Sequence, residues 1–468
     1  MNNKHTSYLV FLIFIIIVYF LELQIIDNSS RLTKYFEFQL LSVYGYAQIQ
    51  SIRKFGMFNF YTLVLVGFFI FAIGGILHFF LSDDNILQVL GGTYGDFYFT
   101  NEQIQLSLLI YTLFIGLTYL TYRHLYRNIP NLFSSAPKKS LCYHPGYFRL
   151  GKCLMWGFLA IEIYKGYLYF SSFSIDRVLI YLYGNSFNPV PTWVRFLATF
   201  FEMGYAFILC SMPDSKTFKR YSALYFVVLI PEILLGNRGL FGAFLLFVFW
   251  YYAKMYNPKP IKTRHVVILG VVMLTVFQAM QFYRDGASSN EISYSMTLFL
   301  KGQSISFFIL PLYMQYAGAI QYYIYPFVLY NLIGGFSGYS GQSIEVLQHN
   351  CGVGHQLMYT ISPDAYLAGA SLGSSSIVEL YDLGIWGIII GAMFFPVMIA
   401  FFEKKFVKSR FAVFFSYSLF SSFVLSARGS YFPSLYAIFK FYIFFIGLIF
   451  IYDILTRGKQ NKILFFKK

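Results

Sequence analysis

Long apolar runs recur along the whole chain, and short segments that carry most of the charge separate them. An α-helix needs roughly 20 apolar residues to cross a bilayer. Runs close to that length cover 59–81, 104–122, 153–171, 193–212, 265–281, 374–402, 411–427 and 434–456. A further run covers 8–26, two shorter runs cover 221–236 and 239–254, and 37–50 is too polar to assign. The pattern predicts an all-α polytopic membrane protein with 11 transmembrane helices, or 12 if 37–50 also crosses.

Positive charge is concentrated in a few of the segments between apolar runs. Of the 35 Lys and Arg residues, 22 lie in 123–152, 213–220, 254–264, 403–410 and 457–468. These segments alternate along the chain so that all of them can lie on one side of a membrane. Since cytoplasmic loops carry the excess of Lys and Arg, we expect this side, including the C-terminus, to be cytoplasmic.

The composition agrees with a membrane protein. The chain is 57% hydrophobic and 12% charged, whereas soluble globular chains are about 25% charged, so a soluble enzyme is excluded. The net charge of +15 could indicate a nucleic-acid partner. Because the basic residues lie between apolar runs, we interpret them as topology signals and expect no nucleic-acid partner.

One segment on the opposite, outer side is unusually long. Residues 282–370 form a stretch of about 90 residues within what is otherwise a single integral-membrane domain, 1–468. The part from Phe307 to Leu332 is aromatic and uncharged, which is typical of partial helices that lie against a bilayer. The part from Gly334 to Gly373 is rich in Gly, Ser, Gln and His, as a binding loop would be.

Three arginines lie at helix ends on the outer side, where positive charge is otherwise scarce. Arg238 and Arg428 are each followed by Gly, and Arg284 is followed by Asp-Gly. One interpretation is anchoring, in which each arginine reaches the lipid head groups. The other is ligand binding, because guanidinium groups bind phosphate oxygens in pairs. The recurrence of the pattern favours a lipid-linked pyrophosphate as the ligand.

Two carboxylates follow the serines at 374–376. A helix that opens at Ser374 or Ser375 would be capped by their hydroxyls. Glu379 would then lie one turn inside the membrane, and Asp382 on the same face three residues later. Glu379 is the candidate catalytic residue, either as a general base or as a structural partner of an arginine.

The outer segment holds further polar candidates. His349, His355 and Asp364 could contact a substrate there. Their spacing fits no metal site, and no nucleotide-binding motif is present. We therefore expect neither a metal nor a cofactor.

Taken in order, the motifs resemble those of the Wzy-type O-antigen polymerases, which join oligosaccharide repeat units. The resemblance rests on four motifs in order. They are Gly-Asn-Arg-Gly at 236–239, which joins the short helix pair, Phe-Tyr-Arg-Asp-Gly at 282–286, the segment 370–387, and Ala-Arg-Gly-Ser-Tyr-Phe at 427–432. It implies a metal-independent glycosyltransferase with the multi-span C-type fold of the polymerase and ligase superfamily. Arg238, Arg284 and Arg428 match the motif arginines of the family, and Glu379 matches an acidic position that is common in it.

The same resemblance implies the reaction and its place. The growing glycan would leave its undecaprenyl pyrophosphate and join a new lipid-linked repeat unit at the periplasmic face of a bacterial inner membrane. Membrane lipid and a chain-length regulator protein would be the further partners. The O-antigen ligase, which uses a different acceptor, and a lipid-linked oligosaccharide flippase are the alternatives. A flippase would be expected to show internal repeats, and the chain shows none.

Overall fold

The computed structural model describes residues 3–82, 84–90, 96–128, 143–175, 190–234, 238–256, 296–339, 341–349, 352–406 and 409–456. Within these ranges the regular secondary structure is helical apart from one short antiparallel strand pair, Gln88–Leu90 with Asp96–Tyr98. The α-helices are Asn3–Leu23, Ser30–Phe55, Phe60–Phe68, Gly74–Leu81, Asn101–Asn128, Pro145–Ile175, Thr192–Cys210, Ser215–Leu234, Arg238–Tyr256, Met296–Gln303, Ile305–Tyr316, Tyr330–Ile333, Ile344–His349, Val353–Ile361, Pro363–Leu367, Ser376–Tyr381, Gly384–Phe406, Arg410–Val424 and Leu435–Thr456. Single turns of 3₁₀-helix cover Ala317–Ala319, Phe327–Leu329 and Gly334–Phe336.

Five of the described helices are long and apolar enough to cross a membrane. They are Phe60–Leu81, Asn101–Asn128, Thr192–Cys210, Gly384–Glu403 and Leu435–Leu455. These helices fit the predicted polytopic membrane protein, and each overlaps a predicted span. The run 265–281 lies outside the described residues, so the total of 11 or 12 spans stays a prediction.

The described residues fall into two compact units, each assembled from separate stretches of the chain. The first contains Met1–Ser134, Lys259–Lys404 and Ser422–Phe432, and the second contains Ser135–Pro258, Lys405–Ser421 and Pro433–Lys468. The single domain 1–468 stays a prediction. Glu379, Arg428 and the described part of the long outer segment belong to the first unit, whereas Arg238 belongs to the second.

The helix Phe60–Leu81 crosses the first unit and is irregular at its centre. Residues Phe69–Ile73 form a π-helical turn between two α-helical parts, and such turns often occur at functional sites. Next to it, the Ser304 hydroxyl accepts a hydrogen bond from the Gly75 N–H at 2.7 Å. The turn therefore lies where the long outer segment packs against this helix.

A close backbone contact at Gly67 holds this helix against residue 424. The carbonyl oxygen of Val424 lies 2.0 Å from the position that a Cβ of Gly67 would occupy. We expect Gly67→Ala to lower the free energy of unfolding by about 1–3 kcal/mol, because either the helix or residue 424 must move. Gly45, in Ser30–Phe55, has no atom within 4 Å of its own Cβ position, so Gly45→Ala is the matched control. Thermal melting of both variants in detergent tests this, and equal melting temperatures would contradict it.

The second unit contains the predicted short helix pair and a buried ion pair. The pair is observed as Ser215–Leu234 and Arg238–Tyr256. In Pro145–Ile175, Lys165 Nζ lies 2.5 Å from Glu162 Oε1, and both side chains are buried. This confirms the ion pair that their i, i+3 spacing predicts.

The predicted continuous span 374–402 is wrong at its beginning. The structure divides it into Ser376–Tyr381, which we call the Glu379 helix, and the longer Gly384–Phe406. The first helix ends because Leu383 N–H turns back to the Leu380 carbonyl and Gly384 adopts φ +68°, a conformation that suits glycine. Glu379 therefore precedes the membrane-spanning helix instead of lying one turn inside it.

Candidate functional site

The Glu379 helix carries a fully buried carboxylate. Glu379 Oε1 accepts a hydrogen bond from the Ser374 hydroxyl at 3.0 Å, and Oε2 accepts one from the Tyr431 N–H at 2.8 Å. The Ser430 side chain also bonds to the carboxylate. Burial raises the pKa of Glu379 to about 7, and the hydrogen bonds from Tyr431, Ser430 and Ser374 oppose that rise. A carboxyl group with such a pKa exchanges its proton near neutral pH, as a general acid or base must.

Two of those hydrogen-bond partners belong to a turn that follows the helix Arg410–Val424. We call residues Leu425–Phe432 the arginine turn because Arg428 lies at its centre. The Ser376 N–H, in the first turn of the Glu379 helix, donates to the Ser426 carbonyl at 3.0 Å. On the far side, the Tyr431 hydroxyl donates to the Gly391 carbonyl at 2.7 Å. The Glu379 helix and the helix Gly384–Phe406 thus hold the arginine turn from both sides.

Arg428 is the exposed member of this otherwise buried group. Its neighbours Ala427 and Tyr431 are buried, whereas the Arg428 side chain reaches the surface. The guanidinium carbon lies 5.9 Å from the centre of the Phe71 ring, within the range of a cation–π contact. Phe71 belongs to the π-helical turn, so that turn supplies the surface beneath the guanidinium.

The arrangement combines two chemical capacities in one place. An exposed guanidinium can hold phosphate oxygens, while a buried carboxylate with a pKa near 7 can accept a proton. The same turn contains Arg428 and the two residues that bond to Glu379, so movement of one group must affect the other. Among the described residues, no group of three His, Cys, Asp or Glu side chains could hold a metal ion.

Asp382, which the sequence places on the same helix face as Glu379, binds a different part of the chain. It caps the end of the Glu379 helix and accepts three hydrogen bonds from the outer segment. The donors are the Tyr313 hydroxyl at 2.6 Å, the Tyr323 hydroxyl at 2.8 Å and the Phe327 N–H at 2.9 Å. Asp382 therefore anchors the aromatic part of the outer segment beside Glu379.

We expect Asp382→Ala to destabilise the segment 313–327. Losing an acceptor for three donors should lower the free energy of unfolding by roughly 2–4 kcal/mol, because hydrogen bonds to a charged group are the stronger ones. Limited proteolysis should then cut this segment sooner, and the melting temperature should fall. Asp96→Ala is the control, since Asp96 is exposed and accepts one bond from Gln88. Equal proteolysis of the two variants would contradict the anchoring role.

The three candidates from the outer segment lie on short helices around a small apolar core. His349 is exposed at the end of Ile344–His349, and its ring stacks on Tyr339 with centroids 4.5 Å apart. His355 is partly buried beside Tyr366, and burial lowers its pKa. Asp364 is exposed in the first turn of Pro363–Leu367.

These helices pack closely against the approach to the Glu379 helix. The carbonyl oxygen of Leu372 lies 2.1 Å from the position that a Cβ of Gly354 would occupy. Since His355 directly follows Gly354, it lies near the segment that leads from Leu372 to Ser374 and Glu379. A role of His349, His355 and Asp364 in substrate contact stays a prediction.

The structure brings two of the four principal candidates together. Glu379 and Arg428 share one hydrogen-bonded group. Arg238 is the first residue of Arg238–Tyr256 in the second unit, and its side chain lies outside the described residues. Arg284 also lies outside the described residues.

Sequence reasoning missed the residues that connect the group. The Tyr431 N–H binds Glu379 although the two residues are 52 positions apart in the sequence. The side chain of the preceding residue, Ser430, binds it as well, and no local pattern indicates such contacts. Phe71 lies in a uniformly apolar run in which a π-helical turn leaves no sign. The contact of Ser374 could be predicted, because Ser374 lies close to Glu379 in the sequence and belongs to the serine run at 374–376.

The chain was compared with known families, curated proteins and solved structures. The family model described as O-antigen polysaccharide polymerase Wzy matches residues 6–460 of the 468. No curated protein and no solved structure matches the chain. The family match covers both compact units and every candidate site residue.

Proposed function

The chain belongs to the O-antigen polysaccharide polymerase Wzy family, and on that premise we propose how and where it polymerises. It moves the growing glycan from undecaprenyl pyrophosphate onto a new lipid-linked repeat unit, as a glycosyltransferase that needs no metal. The reaction takes place at the periplasmic face of the bacterial inner membrane. Family membership supports lipid-linked oligosaccharide repeat units as the partner. A chain-length regulator protein is the second proposed partner.

The observation that carries the proposal is the connection between Glu379 and the arginine turn. The donor's leaving group is a pyrophosphate, so the site must hold its negative charge and place an acceptor hydroxyl in line with the bond that breaks. In the proposal Arg428, with Arg238 and Arg284, binds the pyrophosphate oxygens. Guanidinium groups then supply the positive charge that a metal supplies in other transferases.

Glu379 acts on the acceptor in this proposal. Its carboxylate takes the proton of the attacking hydroxyl as the new glycosidic bond forms and the bond to pyrophosphate breaks. The pKa near 7 supports this role, because a base is most effective when its pKa lies near the working pH. His349, His355 and Asp364 would contact the sugars of the bound repeat unit.

The proposed orientation can be measured with reporter fusions along the chain. We expect fusions after Lys152, Arg220, Lys262, Arg410 and the C-terminus to report cytoplasm, because Lys and Arg are concentrated there. Fusions after Ser288 and Asn350 should report the periplasm. A cytoplasmic signal at Ser288 would contradict the outer location of the site.

Deletion of the gene tests the reaction itself. A polymerase deletion should leave one repeat unit attached to the lipid acceptor and remove the ladder of longer glycans on a gel. Loss of every repeat unit would instead indicate a ligase or a flippase. Expression of the intact chain in the deletion strain must restore the ladder. If the restored ladder spans a different range of glycan lengths, the contact with the chain-length regulator is altered.

A further inference from the structure

A cavity of 290 Å³ lies in the first unit between the helices Asn3–Leu23 and Asn101–Asn128. It opens at the surface, since several of its lining side chains are exposed. We call it the basic cavity. Its lining residues are Ser7, Tyr8, Phe11, Leu120, Arg123, His124, Arg127 and Asn128.

The walls of the basic cavity are fixed by polar and aromatic contacts between the two helices. The Tyr8 ring stacks on His124 with centroids 4.0 Å apart and an angle of 25°. The Tyr8 hydroxyl lies 3.0 Å from Thr121 Oγ1, and Asn128 Nδ2 lies 2.9 Å from His124 Nδ1. The lining is therefore held in place before any ligand binds.

Two guanidinium groups line this cavity, and a third cation lies near them. Arg123 and Arg127 are four residues apart and so lie on one face of their helix. Lys54, at the end of Ser30–Phe55, lies close enough that burial and then the charges of Arg123 and Arg127 lower its pKa. None of the eight described lining residues is acidic. Two lining guanidinium groups without a lining carboxylate favour an anionic ligand.

The cavity also has an apolar side that continues onto an exposed helix face. Phe11 and Leu120 line it, and Phe11 is 56% exposed. Phe14, three residues further on the same face, is 60% exposed. A soluble phosphate would leave this apolar surface uncovered, whereas the acyl chains of a phospholipid would cover it.

The basic cavity is distant from the Glu379 site. Tyr111 contacts that site, because its hydroxyl lies 3.4 Å from Ser375 Oγ. Arg123 lies 12 residues further along the same helix, which corresponds to roughly 18 Å at 1.5 Å per residue. A ligand in the basic cavity would therefore not be the glycan donor bound at Arg428.

We propose that the basic cavity binds the phosphate head group of an anionic phospholipid. Arg123 and Arg127 bind the phosphate, the Ser7 and Tyr8 hydroxyls hydrogen-bond to the head group, and one acyl chain lies along Phe11 and Phe14. Basic pockets of this kind between membrane helices bind anionic lipid head groups on the cytoplasmic side. The Lys and Arg pattern predicts that side for this end of Asn101–Asn128.

The test uses the purified full chain after removal of bound lipid. Phosphatidylglycerol, phosphatidylcholine and inorganic phosphate are added separately, and native mass spectrometry measures how much of each is retained. We expect phosphatidylglycerol to be retained about tenfold better than phosphatidylcholine, and millimolar inorganic phosphate not to displace it. A photoactivatable phosphatidylglycerol should crosslink to peptides from Asn3–Leu23 and Asn101–Asn128.

The variant Arg123→Gln with Arg127→Gln tests the assigned cations. Retention of phosphatidylglycerol should fall about 25-fold, since each of the two basic residues near an anionic lipid contributes roughly a factor of five. Arg195→Gln with Arg220→Gln is the matched control, because both arginines are exposed and lie in the second unit. Retention in the control should be unchanged.

Three results would overturn the proposal. They are equal retention of the two phospholipids, displacement by inorganic phosphate, which would make the ligand a soluble anion, and crosslinks confined to other helices. All three are measured on the wild-type chain and do not depend on whether the double variant folds.

Discussion

Replacing Arg428 by alanine is expected to lower polymer formation by at least about 10², the loss that follows removal of one group that stabilises developing negative charge. Arg428 is exposed while its neighbours Ala427 and Tyr431 are buried, so its side chain can meet a ligand at the surface while the buried residues hold the turn. The amount of protein in the membrane and its melting temperature should therefore stay near the wild-type values. The measurement is the ladder of surface glycans in a deletion strain that expresses the variant, with protein level measured in the same cells.

We expect that lysine cannot perform the function of Arg428. A Lys ammonium is a compact charge and cannot form the paired hydrogen bonds that a guanidinium makes with phosphate oxygens. We expect Arg428→Lys to reduce the ladder nearly as much as alanine does. Arg195→Lys is the control, because Arg195 is exposed and donates to the Thr192 hydroxyl at 3.3 Å. A near-normal ladder in Arg428→Lys would assign Arg428 to anchoring in the head-group region.

Phe71 is a positioning residue of the same site. Its ring lies beneath the guanidinium of Arg428, so it orients that group without touching substrate in the proposed reaction. Its place in the π-helical turn could not be predicted, because apolar side chains in a continuous run carry no mark of a changed hydrogen-bond pattern. Positions of helices, in contrast, follow directly from hydrophobicity, and the runs at 59–81, 104–122 and 193–212 correspond to observed helices.

The boundary before Gly384 shows the limit of such reasoning. The run 374–402 is predicted as one span despite the serines at 374–376, Glu379 and Asp382, yet the helix is interrupted at Asp382 and Leu383. The interruption itself has a local cause, the turn at Leu383 and the positive φ of Gly384. The position of Asp382, in contrast, depends on donors from 313–327, so only the tertiary structure shows that this carboxylate is an anchor.

The candidate site follows the same division. The exposed Arg428 and the buried Glu379 could be selected from sequence because charged side chains are rare beside apolar helices. Their connection through Tyr431 and Ser430 could not, because backbone and serine donors are common to every segment. Sequence therefore selects these two candidates, whereas their connection is visible only in the tertiary structure.

The second large effect is expected at Glu379. Glu379→Gln should keep the fold, because an amide can reproduce two of the three contacts: its oxygen accepts from the Tyr431 N–H and its NH₂ donates to the Ser374 oxygen. An amide cannot take a proton, so turnover should fall by roughly 10² or more, as loss of a general base usually causes. Purified protein with lipid-linked repeat unit measures turnover, and Glu345→Gln is the control because Glu345 is exposed on the outer segment. Full activity in Glu379→Gln would exclude the base role.

The dependence on pH separates a base from a purely structural carboxylate. Burial raises the pKa of Glu379 from 4.5 to about 7 in the folded protein, so between these values the folded chain holds a proton that the unfolded chain has released. The stability contributed by this proton is complete below about pH 4.5 and is lost as the pH rises to about 7, a difference of roughly 3 kcal/mol. Wild-type melting temperature should fall across that range, whereas Glu379→Gln, which does not titrate, should lack this part of the fall.

Activity should move in the opposite direction, because only the deprotonated carboxylate can act as a base. Wild-type turnover should rise with pH and level off above about pH 7, where the stability contribution of the Glu379 proton has been lost. The residual turnover of Glu379→Gln should show no such rise. Loss of activity in Glu379→Gln in proportion to a lower melting temperature at every pH would instead show that the carboxylate holds the arginine turn in place, since removing one partner of a buried charged contact leaves the others unsatisfied.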